Sequence, residues 1–287
     1  MIKSIKYGPH TFNPWTRENA YIDDYNKGSK SYRNREPLTL WKGNCDEGRK
    51  IHDITLHICP KCFLYTNLEA DITLHHCRIA EPPGLLRYNS PDYSIYEVQV
   101  TDDSTRLFAQ ALCLFGRLFL ETKSVCYSVD GFMFYTIYDK ASGMCAGFFS
   151  KEVASWYNYN LACIIVFPPF QKRNLGNLLI GFSYYLSRQQ STTGSPEKPL
   201  SSHGRKTYLA YWCSEICYFF LSSSEFKSIR ELSYLSGVDG EDLLSALEYM
   251  DAICKDSQGQ VRVDASKILN YYETHKVARI FDETYAI

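Results

Sequence analysis

Residues 160–201 read NLACIIVFPPFQKRNLGNLLIGFSYYLSRQQSTTGSPEKPLS. The apolar run Leu161–Phe167 holds Ile164, Ile165 and Val166 with one cysteine, Cys163, a composition that suits a buried strand. Pro168 and Pro169 end it, because proline donates no hydrogen bond to a ladder. The polar segment Gln171–Asn177 follows. Beyond it Leu178, Leu179, Phe182, Tyr185 and Leu186 recur at helical spacing. The stretch therefore reads strand, tight turn, helix. The first N–H groups of such a helix lack partners within it, and Lys172 and Arg173 stand beside them. That combination suits phosphate oxygens. Taken alone, it also fits the strand-to-helix connection of any α/β protein.

The chain has 287 residues, 45% of them apolar, enough to bury a sizeable core as one large domain or two small ones. Lys and Arg number 31 against 32 Asp and Glu. A near-neutral balance gives little bulk attraction to nucleic acid, so direct DNA binding is expected to be weak or absent. No apolar run is long enough to span a bilayer and no signal-peptide pattern opens the chain, so no membrane association is expected. The 11 cysteines then point to a reducing compartment, where they act as core residues, metal ligands or a catalytic thiol. The 23 tyrosines read as core and groove packing.

Upstream, residues 1–50 are polar and aromatic, with Ile5, Tyr7, Phe12 and Trp15 in their first part and a solvated loop expected over 28–37. Residues 56–79, LHICPKCFLYTNLEADITLHHCRI, carry Cys59-x2-Cys62, twelve further residues, then His75, His76 and Cys77. A C-x2-C knuckle followed by a helix offering His and Cys makes a structural zinc site of three sulfurs and one nitrogen. Leu68, Ile72 and His75 fall on one face of that helix. Cys77, two positions on, has to lie past its end, and His76 is an alternative to His75.

Residues 90–98 read as turn and strand, and Leu107, Ala111, Leu114 and Leu118 mark a helix. Val125–Val129 and Phe132–Tyr138 read as alternating strands joined at Asp130-Gly131, and 147–155 as another strand. Tyr208–Leu221 is a bulky helix. Two short helices around a Ser-Gly turn follow, then a hairpin-like ICKDSQGQVRV, a winged-helix-like order. The second short helix carries Glu241, Asp242, Glu248 and Asp251, which would repel phosphates, so the region reads as a scaffold.

The turn QKRNLG resembles the pyrophosphate loop of acetyl-CoA-dependent N-acetyltransferases. The whole stretch, with Cys163 before the loop and Gly194-Ser195-Pro196-Glu197-Lys198-Pro199-Leu200-Ser201 after its helix, resembles the MYST family of histone acetyltransferases. The likeness covers roughly residues 5 to 275. It implies an α+β fold: a GNAT-like acetyl-CoA N-acyltransferase core with a mixed, mostly antiparallel sheet, an N-terminal zinc finger and a C-terminal winged-helix-like region. The corresponding spans are 1–85, 86–204 and 205–287. Because the chain starts almost at the catalytic region, no chromodomain or reader domain is expected ahead of it.

The resemblance assigns roles. Glu197 matches the family's catalytic glutamate, with Pro196 and Pro199 stiffening its loop. Cys163 matches the cysteine beside the acetyl group, either as an acetyl-carrying nucleophile or as packing. Direct attack of the amine on acetyl-CoA, with Glu197 as base, is the favoured route. Ile164 and Val166 are expected along the pantetheine arm, Lys172, Arg173, Asn174, Leu175, Gly176 and Asn177 around the pyrophosphate, and Ser201 at the cofactor. Cys59, Cys62 and His75 match the family's C-x2-C-x12-H-x3-C finger, whereas Cys77 departs from its spacing. Lys123 matches a lysine that is autoacetylated. Asn174 stands where a loop glycine is expected, and Gly181 where many relatives have Glu or Ala.

Phe167, GFFSKE and SPDYSI look most like the small fungal silencing-associated subfamily. That likeness implies a nuclear chromatin enzyme acting on histone tails and nucleosomes, the histone-four tail favoured, with two or more non-catalytic subunits. Two other readings compete with it: a weakly catalytic scaffold, and a zinc-finger and winged-helix nucleic-acid binder.

Overall fold

The computed structural model describes residues 2–15, 54–120, 128–222, 228–255, 257, 259 and 261–287. Two compact units emerge from the chain contacts, the first formed by 1–148, 165–171 and 287, the second by 149–164 and 172–286. The expected loop at 28–37, most of the strand expected over 125–129, and Lys123 lie outside the described residues.

The first unit begins with β1 (Ile2–Tyr7), β2 (His10–Phe12), β3 (Ile54–Ile58) and β4 (Tyr65–Thr66), ordered β2-β1-β3-β4. β1 runs antiparallel to β2 and parallel to β3. The helix α1 spans only Glu69–Leu74. β5 (Leu85–Asn89) and β6 (Tyr93–Gln99) form an antiparallel pair, and α2 (Asp103–Arg117) follows. The first turn of α2 is closed by a capping box: the Asp102 side chain accepts from Thr105 N–H, and Thr105 Oγ1 from Asp102 N–H.

β7 (Phe132–Asp139) pairs antiparallel with β6, and β8 is Met144–Glu152. The run from Phe134 to Asp139 is buried at every position rather than alternating, because β7 sits mid-sheet with both faces covered. The expected strand at 147–155 starts earlier and ends at Glu152. Aromatic rings fill this unit's core: Phe115 lies 4.7 Å from Phe167 and 5.2 Å from Tyr7, ring to ring. The buried Tyr7 hydroxyl donates to Cys145 O at 2.9 Å.

The organising stretch folds as read, with one break. It gives β9 (Tyr159–Leu161), then β10 (Cys163–Val166), a 3-10 turn at Pro168–Phe170, and α3 (Leu175–Gln189). Ala162 separates the two strands, and β10 forms the edge of a five-stranded sheet ordered β10-β8-β7-β6-β5. It runs antiparallel to β8: Ala162 N–H donates to Ser150 O at 2.7 Å and Phe167 N–H to Ala146 O at 2.8 Å. The boundary between the two units passes through both strands.

In the second unit β11 (Ser195–Pro196) lies parallel to β9. Then come α4 (Ser202–Ser222), α5 (Ile229–Ser236), α6 (Gly240–Tyr249), the antiparallel hairpin of β12 (Ile253–Lys255) and β13 (Val261–Val263), and α7 (Ala265–His275). Tyrosines build the core here. Tyr184 and Tyr211 stack at 5.2 Å, and Trp212 Nε1–H donates to Tyr184 Oη at 2.8 Å, which pairs those two polar tips inside, whereas the buried Tyr208 hydroxyl has no hydrogen-bond partner among the described residues. The acidic face expected on α6 is thinner than the sequence suggests. Asp242 is buried, and Asp251 lies past the helix end, paired with Lys267.

Candidate functional site

The N-terminal knuckle brings Cys59, Cys62, His75 and Cys77 together, their ligand atoms all within 4.8 Å of one another. Cys62 Sγ stands 3.3 Å from His75 Nε2. Because α1 ends at Leu74, His75 is a cap residue in extended conformation rather than part of a helical face with Leu68 and Ile72. This corrects the expected geometry and explains the odd spacing. In an extended chain alternate side chains share a side, so His75 and Cys77 turn inward while His76 is exposed. The side-chain hydrogen bond between Cys59 and Cys62 brings the Cys59 thiol down to about 5 and raises Cys62. Three sulfurs and one nitrogen converging at this separation fit a tetrahedral zinc ion with no open position.

In the second unit, the segment before α3 has two residues in the left-handed region, Lys172 (φ 62°) and Asn174 (φ 59°). Asn174 is the N-cap, and its side chain makes no capping hydrogen bond. The opening N–H groups of a 15-residue helix are thus left uncapped by it, beside the exposed Lys172 and Arg173. Gly176 has no positive φ, and a Cβ there would meet only Thr207 Cγ2 at 3.9 Å. Among the described residues, nothing crowds that position.

One ladder holds the Glu197 main chain beside β9, the strand that leads to Cys163. Ser195 pairs with Tyr159 and Pro196 with Leu161, and Glu197 N–H donates to Leu161 O at 2.8 Å. Cys163 lies two residues beyond Leu161. Its own N–H donates to Ser150 Oγ at 3.3 Å, and its side chain is half-buried, not sealed in the core. Glu197 is exposed. Ser201 opens α4: its Oγ accepts from Gly204 N–H at 3.0 Å and its carbonyl from Arg205 N–H at 2.8 Å. Ile164 lies on edge strand β10, whose outward backbone is not paired within the sheet. On the first unit's part of that strand, Val166 O accepts from Gln171 Nε2 at 2.9 Å.

The MOZ/SAS family pattern matches residues 81–285, more than half of the chain. The chain belongs to the MOZ/SAS family. It is 37% identical over 265 residues to histone acetyltransferase SAS2 of Saccharomyces cerevisiae, covering 90% of this chain and 76% of that protein. It is 40% identical over 205 residues to histone acetyltransferase MOF of Drosophila melanogaster, covering 69% and 24%. The Tip60 homolog of Caenorhabditis elegans, also a histone acetyltransferase, is 36% identical over 205 residues, covering 68% and 44%. This MOZ/SAS chain thus spans less than half of the fly and worm proteins. No helix among its described residues is long and apolar enough to cross a membrane.

Some features of this MOZ/SAS chain have little signal in its sequence. Gly147 is one: a Cβ there would stand 2.3 Å from Ile165 O, so only glycine lets β8 approach β10 so closely. A lone glycine inside a strand pattern was the available signal. Lys172 was expected at the pyrophosphate, but its left-handed conformation had no signal, and neither did Ser150, whose Oγ accepts from Cys163 N–H. Asp242, 3.0 Å from Lys198 Nζ, had none either.

Proposed function

We propose that this chain transfers acetyl from acetyl-CoA to a lysine side chain of a histone tail, with the histone-four tail favoured. Glu197 is the general base and Cys163 sits beside the acetyl group. A free lysine has a pKa near 10.4, so neutralising it at pH 7 costs about 4–5 kcal/mol. A positioned carboxylate meets that demand by taking the proton as the amine attacks the thioester. The Leu161–Glu197 backbone bond carries this reading, since it holds the Glu197 main chain beside β9, two residues before Cys163. The uncapped start of α3, with Lys172 to Asn177, supports a pyrophosphate cradle. The edge position of β10 supports pantetheine amides along Ile164 and Val166. Ser201 is the further cofactor contact.

The activity named for the relatives supports the same reading. We place the protein in nuclear chromatin, in silencing or transcription regulation, working with two or more non-catalytic subunits. Lys123 is the autoacetylated lysine of this scheme. Residues 205–287 form a winged-helix-like scaffold, a reading supported by the order α5, turn, α6, hairpin.

The test is transfer of labelled acetyl to a histone-four tail peptide by wild type, Glu197→Gln and Cys163→Ala. Loss of a general base lowers the rate about 10²–10⁴-fold, so transfer collapses in the Glu197 variant and persists in the Cys163 variant. The reverse pattern establishes a route through acetyl-cysteine. No transfer by wild type, even with nucleosomes and partner subunits, establishes a scaffold.

A further inference from the structure

The segment that carries Glu197 is held from two sides. On one side are the bonds to β9: Ser195 N–H to Asn158 O at 3.4 Å and Glu197 N–H to Leu161 O at 2.8 Å. On the other is the turn between α5 and α6. Gly194 N–H donates to Gly237 O at 2.8 Å, Asp239 N–H donates to Gly194 O at 3.0 Å, and Gly194 bridges Val238. Among the described residues, these backbone contacts end at Glu197. The next fixed point is the side chain of Lys198, whose Nζ lies 3.0 Å from Asp242 Oδ1 on α6.

That ion pair is asymmetric: the Lys198 side chain is 46% exposed and the Asp242 side chain 3% exposed. An exposed pair would contribute little. Here the carboxylate is fixed inside α6, where Asp239 caps the helix and Leu243, Ala246 and Leu247 are fully buried. Lys198 is therefore tied to a rigid post. Burial raises the Asp242 carboxyl, and hydrogen bonding from Ser195 and Lys198 opposes that rise. Tyr208 of α4, Tyr184 of α3, and Asp239 and Glu241 of α6 complete its charged and titratable surroundings. Lys198 is the cation among them.

We infer that Asp242 is a positioning residue for the reaction: through Lys198 it fixes the far end of the Glu197 segment and so aims the general base. The inference rests on the proposed acetyl transfer. Neither residue touches the reacting atoms, and the acidic helix takes part in catalysis as the anchor of the base.

Lys198→Met and Asp242→Asn are compared with wild type in the full chain, each also in the Glu197→Gln background. Each single variant is expected to lower kcat at least about tenfold with the acetyl-CoA KM within about twofold. In the Glu197→Gln background neither lowers the residual rate further, because no carboxylate remains to be aimed. Hydrogen exchange gives a readout independent of activity. The Glu197 amide exchanges about tenfold faster in both variants, while the amides of α3 keep their wild-type rates. The half-exposed Lys198 side chain keeps the test open if Asp242→Asn does not fold. Wild-type kcat in both single variants, equal losses in the Glu197→Gln background, or unchanged Glu197 exchange each overturns the inference. If the wild type transfers no acetyl, faster Glu197 exchange in the two variants retains the anchor and discards the acetyl-transfer reading.

Discussion

Gly181→Ala decides whether the packing of the C-terminal tail on α3 is as tight as it looks. By helix propensity alone, alanine inside α3 should stabilise by about 1 kcal/mol. A Cβ at 181, however, would stand 2.4 Å from Phe281 Cβ and 3.0 Å from Phe281 Cγ. Something must move by about 1 Å to restore ordinary contact. Phe281 is buried, 6.1 Å from the Phe182 ring and 5.7 Å from Tyr185. The tail is pinned on both sides of it, by Arg279 on Glu215 at 3.1 Å and by Glu283 on Arg188 at 2.7 Å. If Phe281 is expelled, about 2–3 kcal/mol of burial is lost. The net is a destabilisation of about 1–2 kcal/mol, or a Tm lower by about 2–8 °C.

The assay is thermal unfolding of Gly181→Ala in wild type and in a Phe281→Gly background. In that background the two crowding atoms are gone and the next nearest is Tyr211 Cε2 at 3.5 Å, an ordinary contact, so the substitution should stabilise. The sign therefore inverts between backgrounds. A stabilisation of about 1 kcal/mol in the wild type, or the same effect in both, refutes the reasoning.

Other expectations concern the loop, the metal and the caps. Asn174→Ala puts a residue that resists the left-handed region at φ 59° and should weaken acetyl-CoA binding by roughly 5–30-fold, about 1–2 kcal/mol. Asn174→Gly should match or exceed wild type, with calorimetry reading both. Elemental analysis should find one zinc per chain in wild type and in His76→Ala but not in His75→Ala, and a chelator should lower the Tm of the first two only. Asp102 is held below the usual carboxylate range mainly by the Thr105 N–H. Its stabilisation is thus present above the ordinary carboxylate pKa and disappears as pH falls through the lowered folded value. Asp102→Asn should keep the cap and flatten the acid-side pH dependence of Thr105 amide exchange.

Much of this protein was legible in short-range chemistry. Proline after an apolar run, polar residues in the turn and helical spacing beyond it give strand, loop and α3, because each is a local constraint on one backbone segment. Asn174 stands where a loop glycine is expected, and it takes the left-handed conformation, which asparagine tolerates better than most residues. The C-x2-C spacing located the knuckle in the same way. Its closing half was only partly legible, because the choice of His75 over His76 depends on where α1 stops.

Long-range contacts decided the rest. Which strands flank β7, and hence why Phe134 to Asp139 are buried on both faces, depends on sheet order. So does the need for glycine at 147, where another strand's carbonyl comes close. Gly181 is informative only once Phe281, a hundred positions on, lies against it. Asp242 read as one more charge on an acidic helix until folding buried it beside Lys198. Local sequence fixes the conformation of a segment through its own backbone and side chains. Burial and charge pairing belong to whichever distant segment arrives, and only the tertiary structure supplies that.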